Sequence, residues 1–222
     1  MKVYDRAYFR TWYRDPKKAI VRRADLGRKV GMALGAAEHL IGRTVESVLD
    51  VGCGEGSWQP LLRARRPRLK YLGIDTSDYA VRRFGRARNV RPGSWGQLGG
   101  LRFDEAFDLV VCSDALHYVP TREFLRGLAG LPGLVGGVAY LDFLTADDDL
   151  QTGLEGDLVG FRRRTAAWYR RKVRATGLVE CGLGIWAAQD LAPALTAMEL
   201  AERPRRRRGD SGRAASARKM RP

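Results

Sequence analysis

A glycine-rich turn flanked by two acids is the stretch of this sequence best suited to chemistry. It reads Val48-Leu49-Asp50-Val51-Gly52-Cys53-Gly54-Glu55-Gly56-Ser57-Trp58, between a predicted strand and a predicted helix. Glycines in this context let the backbone turn tightly and approach a nucleotide-like ligand closely. The third glycine comes one residue too early for the dinucleotide fingerprint G-x-G-x-x-G, and the chain contains no G-x-x-x-x-G-K-[ST] phosphate loop.

The charge of this turn narrows the choice of ligand. Carboxylates at Asp50 and Glu55 repel a pyrophosphate but attract a ligand that carries an ammonium and a sulfonium group. This favours S-adenosylmethionine over NAD or ATP. Asp75 ends the next predicted strand, 23 residues after Gly52. That is close to the offset of about 20 residues at which an acid binds ribose hydroxyls; a helix N-cap is the alternative role for Asp75.

The elements that must position these residues alternate along the chain. Short apolar stretches predict strands, and amphipathic stretches between them predict helices. The predicted strands are 47–51, 71–74, 89–91, 107–112, 135–143 and 178–187, and the predicted helices are 26–40, 57–65, 77–84, 121–129, 165–175 and 191–202. Ser57 is the expected N-cap of the second helix. The predicted fold is therefore α/β: a doubly wound, mostly parallel sheet with helices on both faces, binding ligands beyond the carboxyl ends of its strands.

Composition and charge divide the 222 residues into three parts. A hydrophobic content of 45% is ordinary for a globular chain and excludes collagen-like and wholly disordered proteins. We expect an aromatic and helical N-terminal cap at 1–43, a core domain at 44–202 and a disordered basic tail at 203–222. Three scattered cysteines, no apolar leader and no stretch of bilayer length predict a cytoplasmic protein without membrane contact.

Three motifs in order resemble those of the Rossmann-like (class I) S-adenosylmethionine-dependent methyltransferases. Val48 to Gly56 is similar to the first motif, and Gly73-Ile74-Asp75-Thr76-Ser77 to the second. Phe107 to Val119 is similar to the strand-four motif of the small-molecule branch. The resemblance covers roughly residues 47–143 and implies that the core domain, 44–202, is a methyltransferase domain.

The resemblance also implies a set of cofactor contacts. Asp50, Gly52 and Gly54 would hold the amino-acid end of S-adenosyl-L-methionine, Asp75 its ribose, and Thr76 would lie against the adenine.

Two further positions of the motifs bear on the cofactor. Ser94 and Trp95 stand where the family usually has an acid that binds the adenine amine, so a stacking or backbone contact would replace it. Ser113 is expected near the cofactor's amino group or sulfonium. The family's sheet usually ends in a two-stranded hairpin, whereas the sequence predicts one strand at 178–187.

Residues for the acceptor side are less specific. His117 is the candidate catalytic base, since an ordinary histidine pKa of about 6.5 suits proton removal; a packed loop histidine is the alternative. The leader, defined as residues 4–13, is aromatic and basic, and we expect it to close over the active site rather than only cover the sheet. No metal site is predicted. The substrate or lid candidates are Tyr8, Trp12, Tyr13, His117, Tyr118 and Asp142.

The leading interpretation is methyl transfer to an oxygen or nitrogen nucleophile of a small molecule, for which proximity and orientation supply most of the acceleration. The alternatives are an RNA or protein methyltransferase recruited by the basic tail, a non-catalytic S-adenosylmethionine-binding module, and an NAD oxidoreductase, which the early third glycine disfavours. The tail, 203–222, would give weak non-specific nucleic-acid contact. Ser113-Asp114-Ala115-Leu116 differs from the Asn/Asp-Pro-Pro-aromatic tetrapeptide used on exocyclic base amines.

Overall fold

A computed structural model describes residues 2–15, 23–148 and 158–201. The predicted basic tail, 203–222, lies outside the described residues, and the division of the chain at residues 43 and 202 stays a prediction. The strands are β1 (Ser47–Val51), β2 (Lys70–Asp75), β3 (Val90–Pro92), β4 (Phe107–Ser113), β5 (Val135–Asp142), β6 (Val179–Gly182) and β7 (Ile185–Ala187). The α-helices are α1 (Arg6–Arg14), α2 (Arg23–Ile41), α3 (Trp58–Arg65), α4 (Asp78–Arg88), α5 (Thr121–Gly130) and α6 (Ala166–Arg174).

All seven strands form one sheet in the order β3-β2-β1-β4-β5-β7-β6. The five strands from β3 to β5 pair in parallel, whereas β7 runs antiparallel to β5 and to β6. This confirms the predicted doubly wound α/β fold. The strand order reverses between β1 and β4, and a crevice for ligands forms beyond the carboxyl ends of strands at such a switch point.

The single strand predicted at 178–187 is wrong, because the chain reverses at Leu183 and Gly184. Both residues have positive φ, +50° and +76°, and the reversal makes a hairpin of β6 and β7. An added Cβ on Gly184 would lie 2.7 Å from the carbonyl oxygen of Leu141, so this turn requires glycine. The sheet therefore ends in a two-stranded hairpin, as is usual for the methyltransferases that the sequence resembles.

Two local helix predictions also need correction. Ser57 stands at the N-cap of α3 but its side chain makes no capping hydrogen bond. In place of the helix predicted at 191–202, a 3-10 helix spans Gln189–Ala194. Beyond it, the backbone N–H groups of Thr196 and Ala201 donate to the Glu199 carboxylate and the Glu180 carbonyl oxygen. These bonds replace helical ones.

Side chains of alternate strand residues build a hydrophobic layer on each face of the sheet. Leu49 and Val51 of β1 enter the layer covered by α5 and α6, while Val48 enters the layer covered by α2 and α3. Full burial of such a side chain contributes about 1.5–3 kcal/mol to folding. The two layers fix the sheet and hence the edge at which its strands end.

Asp108 fastens the opposite edge, where β1 and β4 begin. Its carboxylate accepts hydrogen bonds from the backbone N–H groups of Glu46 (2.7 Å) and Ser47 (3.1 Å) and from Arg43 (2.6 Å). Burial opposes ionisation, but these bonds outweigh it and lower the pKa of Asp108. The strands are thus tied together at their amino ends.

Candidate active site

The glycine turn lies beyond β1 and is held against the end of β2. Gly52, Gly54 and Gly56 all have positive φ, between +54° and +72°, a conformation that side chains disfavour. The N–H groups of Gly52 and Cys53 both donate to the carbonyl oxygen of Ile74, at 2.8 and 3.2 Å. The turn is therefore a preformed loop rather than an irregular connection.

Asp75 is buried at the end of β2 and binds the turn directly. Its carboxylate accepts the N–H of Gly54 at 2.7 Å and that of Ser77 at 2.8 Å. Burial raises its pKa in spite of these bonds. Ser77 itself is the N-cap of α4, with its Oγ accepting the N–H of Ala80 at 3.1 Å. The alternative role of Asp75 as the helix N-cap is therefore wrong, because Ser77 caps α4. Asp75 lies at the end of β2, where the sequence predicts a ribose ligand.

Asp50 is the second buried acid, 2% exposed. The Tyr71 hydroxyl donates a hydrogen bond of 2.7 Å to its carboxylate. Burial raises the pKa of Asp50 to about 7, and the bond from Tyr71 opposes this rise. A cation bound nearby would be stabilised by the ionised form of this group.

The residues predicted to contact the adenine differ in their burial. Thr76 is exposed beside Asp75 and Ser94 is half-buried, with its N–H donating to Gln97 Oε1 at 2.9 Å. The side chain of Trp95, by contrast, is 4% exposed and belongs to the core. Its Nε1–H donates to the Phe124 carbonyl oxygen at 2.9 Å, and its ring stacks on Phe124. The prediction that the Trp95 ring stacks on the adenine is therefore wrong, because this ring is already packed against α5.

A cluster of charged side chains lies at the carboxyl ends of β4 and β5. Ser113 and Asp142 are paired in register across these strands. The Lys29 ammonium lies 2.5 Å from the Asp142 carboxylate, 3.2 Å from that of Asp114 and 3.4 Å from Ser113 Oγ. Burial opposes the charge on Lys29, but the two carboxylates prevail and raise its pKa. Lys29 was not predicted, because no local pattern connects α2 to these strands.

His117 is buried, and its geometry does not suit a general base. Its Nδ1 accepts the N–H of Leu144 at 3.3 Å, so the proton of the neutral ring lies on Nε2. Burial lowers the pKa of His117 to about 4, and the charge of Lys2 acts in the same direction. The ring also packs at 4.0 Å on Tyr118 and 5.7 Å on Phe161. These contacts favour the packed loop histidine that was the alternative to a catalytic base.

The leader lies over the glycine turn, and α1 presents aromatic rings to it. Phe9, which sequence analysis did not single out, is 2% exposed and packs against Tyr79 of α4. Tyr13 is 39% exposed overall, yet its hydroxyl points inward toward Gly54. Arg14 pairs with Glu55 inside the turn.

The remaining lid candidates extend along the same edge. Tyr8 packs edge-on against Phe9 at 5.5 Å, and Trp12 is half-buried. The Lys2 ammonium lies 3.6 Å from the centre of the Tyr118 ring. The leader thus lies where the sequence predicts a lid.

The part of the chain that the structure describes offers neither a metal site nor a membrane span. In residues 2–15, 23–148 and 158–201, no three His, Cys, Asp or Glu side chains are grouped so as to hold a metal ion. Within the same ranges no helix is long and apolar enough to span a bilayer. The neighbouring acids Asp147 and Asp148 bind donors of the chain itself. Asp148 accepts hydrogen bonds from the N–H and hydroxyl of Thr145, and Asp147 accepts the N–H of Ala166.

Fold and site together define a class. A parallel sheet that ends in an antiparallel hairpin, with an acid-flanked glycine turn after β1 and an acid at the end of β2, is the arrangement of the Rossmann-like methyltransferases. Residues 49–131 match a family model described as a methyltransferase domain. Residues 49–131 are thus similar to a methyltransferase domain, and they lie in a Rossmann-like fold.

Solved structures support the same fold. An O-methyltransferase family protein from Burkholderia thailandensis aligns with TM-score 0.53 at 21% identity, over 75% of this chain and 58% of that one. An S-adenosylmethionine-bound amino pentose methyltransferase from Micromonospora echinaspora aligns with TM-score 0.56 at 17% identity, over 73% and 91%. A sugar N-methyltransferase from Streptoalloteichus aligns with TM-score 0.60 at 17% identity, over 76% and 89%. No curated protein matches the chain in sequence.

Proposed function

We propose that this protein transfers the methyl group of S-adenosylmethionine to a nitrogen or oxygen nucleophile of a small molecule. The observation that carries the proposal is that Asp75, at the end of β2, opens on the same sheet edge as the paired Ser113 and Asp142, at the ends of β4 and β5. One edge thus offers a cofactor side and an acceptor side on neighbouring strands.

The residues of the cofactor side fit S-adenosylmethionine chemically. Gly52 and Gly54 allow a close backbone approach, Asp75 is a buried acceptor for ribose hydroxyls, and Asp50 is a buried acid for the ammonium. Thr76 and Ser94 lie where the adenine is expected. The bound cofactor supplies a methyl group on a sulfonium, which is a good leaving group.

The acceptor side is polar and already holds an ammonium group, that of Lys29. Ser113, Asp114 and Asp142 offer hydrogen-bond acceptors to an amine or hydroxyl, and Asp142 is a carboxylate that can take the proton such a group releases. A cavity of about 190 Å³ adjoins Asp142 and is lined by Phe143, Tyr169 and Trp186 among others. A larger cavity of about 730 Å³ lies between the segment 98–106 and α5 and contains none of the candidate residues. The smaller one is therefore the better acceptor site.

The kind of acceptor is supported by two of the aligned structures, which are described as a sugar N-methyltransferase and an amino pentose methyltransferase. The chain's own residues align the acceptor and exclude water, and proximity and orientation account for much of such an acceleration. Tyr118, which is half-buried, shields part of this edge. His117 takes no part in proton transfer.

Location and partners belong to the same proposal. The three cysteines, Cys53, Cys112 and Cys181, are all free, which suits a reducing cytoplasm. The tail at 203–222 adds positive charge that can attract nucleic acid weakly. Filter binding of RNA at low salt, with and without the tail, tests that contact: equal retention would remove it.

Calorimetry and a labelling assay test the proposal. We expect S-adenosylmethionine and S-adenosylhomocysteine to bind saturably and NAD not to bind. With methyl-labelled S-adenosylmethionine, label should enter an amino-sugar mixture rather than RNA or protein. Asp142→Asn should lose the transfer and keep the binding of S-adenosylhomocysteine. Binding of NAD alone, or label found only in RNA or protein, would overturn the proposal.

A further inference from the structure

We propose that α1 is an autoinhibitory plug: its side chains stand in the place of the cofactor against the glycine turn and must leave before S-adenosylmethionine can bind. This inference rests on the proposed role of the turn as the cofactor site. It differs from a lid, which closes over a cofactor already in place.

The contact at Gly54 carries the inference. A Cβ added to Gly54 would lie 3.0 Å from the Tyr13 hydroxyl oxygen and 3.2 Å from a ring carbon of Phe9. In a nucleotide-binding glycine turn, the missing side chain is the space through which the ligand reaches the backbone. Here that space is filled by Phe9 and Tyr13, and no layer of ligand atoms fits between them and Gly54.

The surroundings of the two side chains point the same way. Phe9 is almost fully buried, yet it belongs to neither of the two hydrophobic layers of the sheet. Burial raises the pKa of Tyr13 well above its ordinary value, and the nearby Tyr8, Asp75 and Asp114 add to this. The phenol of Tyr13 therefore lies close to Asp75, the acid that we assign to the ribose of the cofactor.

Three contacts hold residues 4–14 against the glycine turn and the start of α4. Arg14 pairs with Glu55 in the turn, and Ser77 Oγ donates to the carbonyl oxygen of Tyr4 at 2.5 Å. Phe9 packs on Tyr79 of α4. These three contacts end on the turn or at the start of α4 and none of them is a strand pairing, so release of α1 would uncover the turn without breaking the strand pairings of the sheet.

Plug and lid predict opposite changes in affinity. Where the open form is one tenth of the population, the apparent Kd is raised about tenfold. We therefore expect Phe9→Ala and Tyr13→Ala to bind S-adenosylhomocysteine up to about tenfold more tightly than the unaltered chain. Thr11→Ala is the matched control on the same helix and should bind as the unaltered chain does. Weaker binding by both aromatic variants would overturn the plug and favour the lid.

Hydrogen exchange in the unaltered full chain gives a second test that needs no variant to fold. The amides of residues 6–14 should exchange faster when S-adenosylhomocysteine is added, because the plug is displaced. Slower or unchanged exchange with the ligand bound would overturn the inference. Failure of every variant and of the unaltered chain to bind S-adenosylhomocysteine would instead overturn the proposed function.

Discussion

The hydroxyl of Tyr71 donates a hydrogen bond of 2.7 Å to the carboxylate of Asp50, joining β2 to β1 beside the glycine turn. The pair is buried, and burial raises the pKa of Asp50 to about 7. The acid is therefore half-protonated near neutral pH. A bound ammonium group favours its ionised form, so ligand binding and deprotonation are linked.

The affinity for S-adenosylhomocysteine should consequently rise with pH. Above pH 7 Asp50 is already ionised, whereas below it the ligand must displace a proton, which gives a rise of about tenfold between pH 6 and pH 8. Calorimetry at both values measures it. Asp50→Asn should abolish the rise, and Tyr71→Phe should move it to higher pH, since the hydrogen bond favours the ionised form. An affinity independent of pH in the unaltered chain would contradict this.

Asp75 should contribute strongly to cofactor affinity. Its carboxylate is buried beside Gly54, and hydrogen bonds to a charged group are worth about 1.5–3 kcal/mol. Asp75→Ala should weaken S-adenosylhomocysteine binding by that amount in a calorimetric titration. Asp104→Ala, which removes an exposed acid ahead of β4, is the control and should have no effect. Equal affinities for the two variants would remove Asp75 from the site.

His117 should affect stability in acid rather than catalysis. The folded ring has a pKa of about 4, whereas in the unfolded chain it takes up a proton near pH 6.5. The contribution of the neutral ring to the free energy of unfolding is complete above pH 6.5 and is lost as the pH falls toward 4. The loss is about 3 kcal/mol at most.

Urea unfolding at pH 7.5 and pH 4.5 checks this. Between pH 7.5 and pH 4.5, His117→Gln should lose less unfolding free energy than the unaltered chain. His39→Gln, at an exposed position on α2, is the control and should lose as much as the unaltered chain. The prediction fails when His117→Gln shows the same acid sensitivity as the control.

Gly130 at the end of α5 should tolerate no side chain. A Cβ there would overlap the backbone nitrogen and Cα of Gly99, in the 3-10 helix Trp95–Gly100. Overpacking of this kind costs about 1–3 kcal/mol. Gly133→Ala is the matched control, since a Cβ at Gly133 meets nothing within 4 Å. Thermal unfolding should show a lower Tm for Gly130→Ala alone; similar Tm values would argue that the loop simply moves aside.

Local sequence predicted the parallel sheet, the glycine turn and Asp75, because each depends on residues close together in the chain. The hairpin was missed because Leu183, an apolar residue 80% exposed at φ +50°, makes 178–187 look like one strand. Trp95 was misplaced because its partner Phe124 lies in α5, distant in sequence. Lys29 was missed because its contact with Asp114 spans 85 residues, and no local period encodes such a pairing.

Because of the hydrogen bonds at Asp108, the two ends of the strands differ in how freely their residues can be substituted. The amino ends of β1 and β4 are locked by one carboxylate that holds two backbone amides and Arg43. Ser113 and Asp142, which we assign to the acceptor side, lie at the far ends of β4 and β5. Substitutions there can alter acceptor preference while the lock at Asp108 keeps the strands in register, so new specificities can arise without loss of the scaffold.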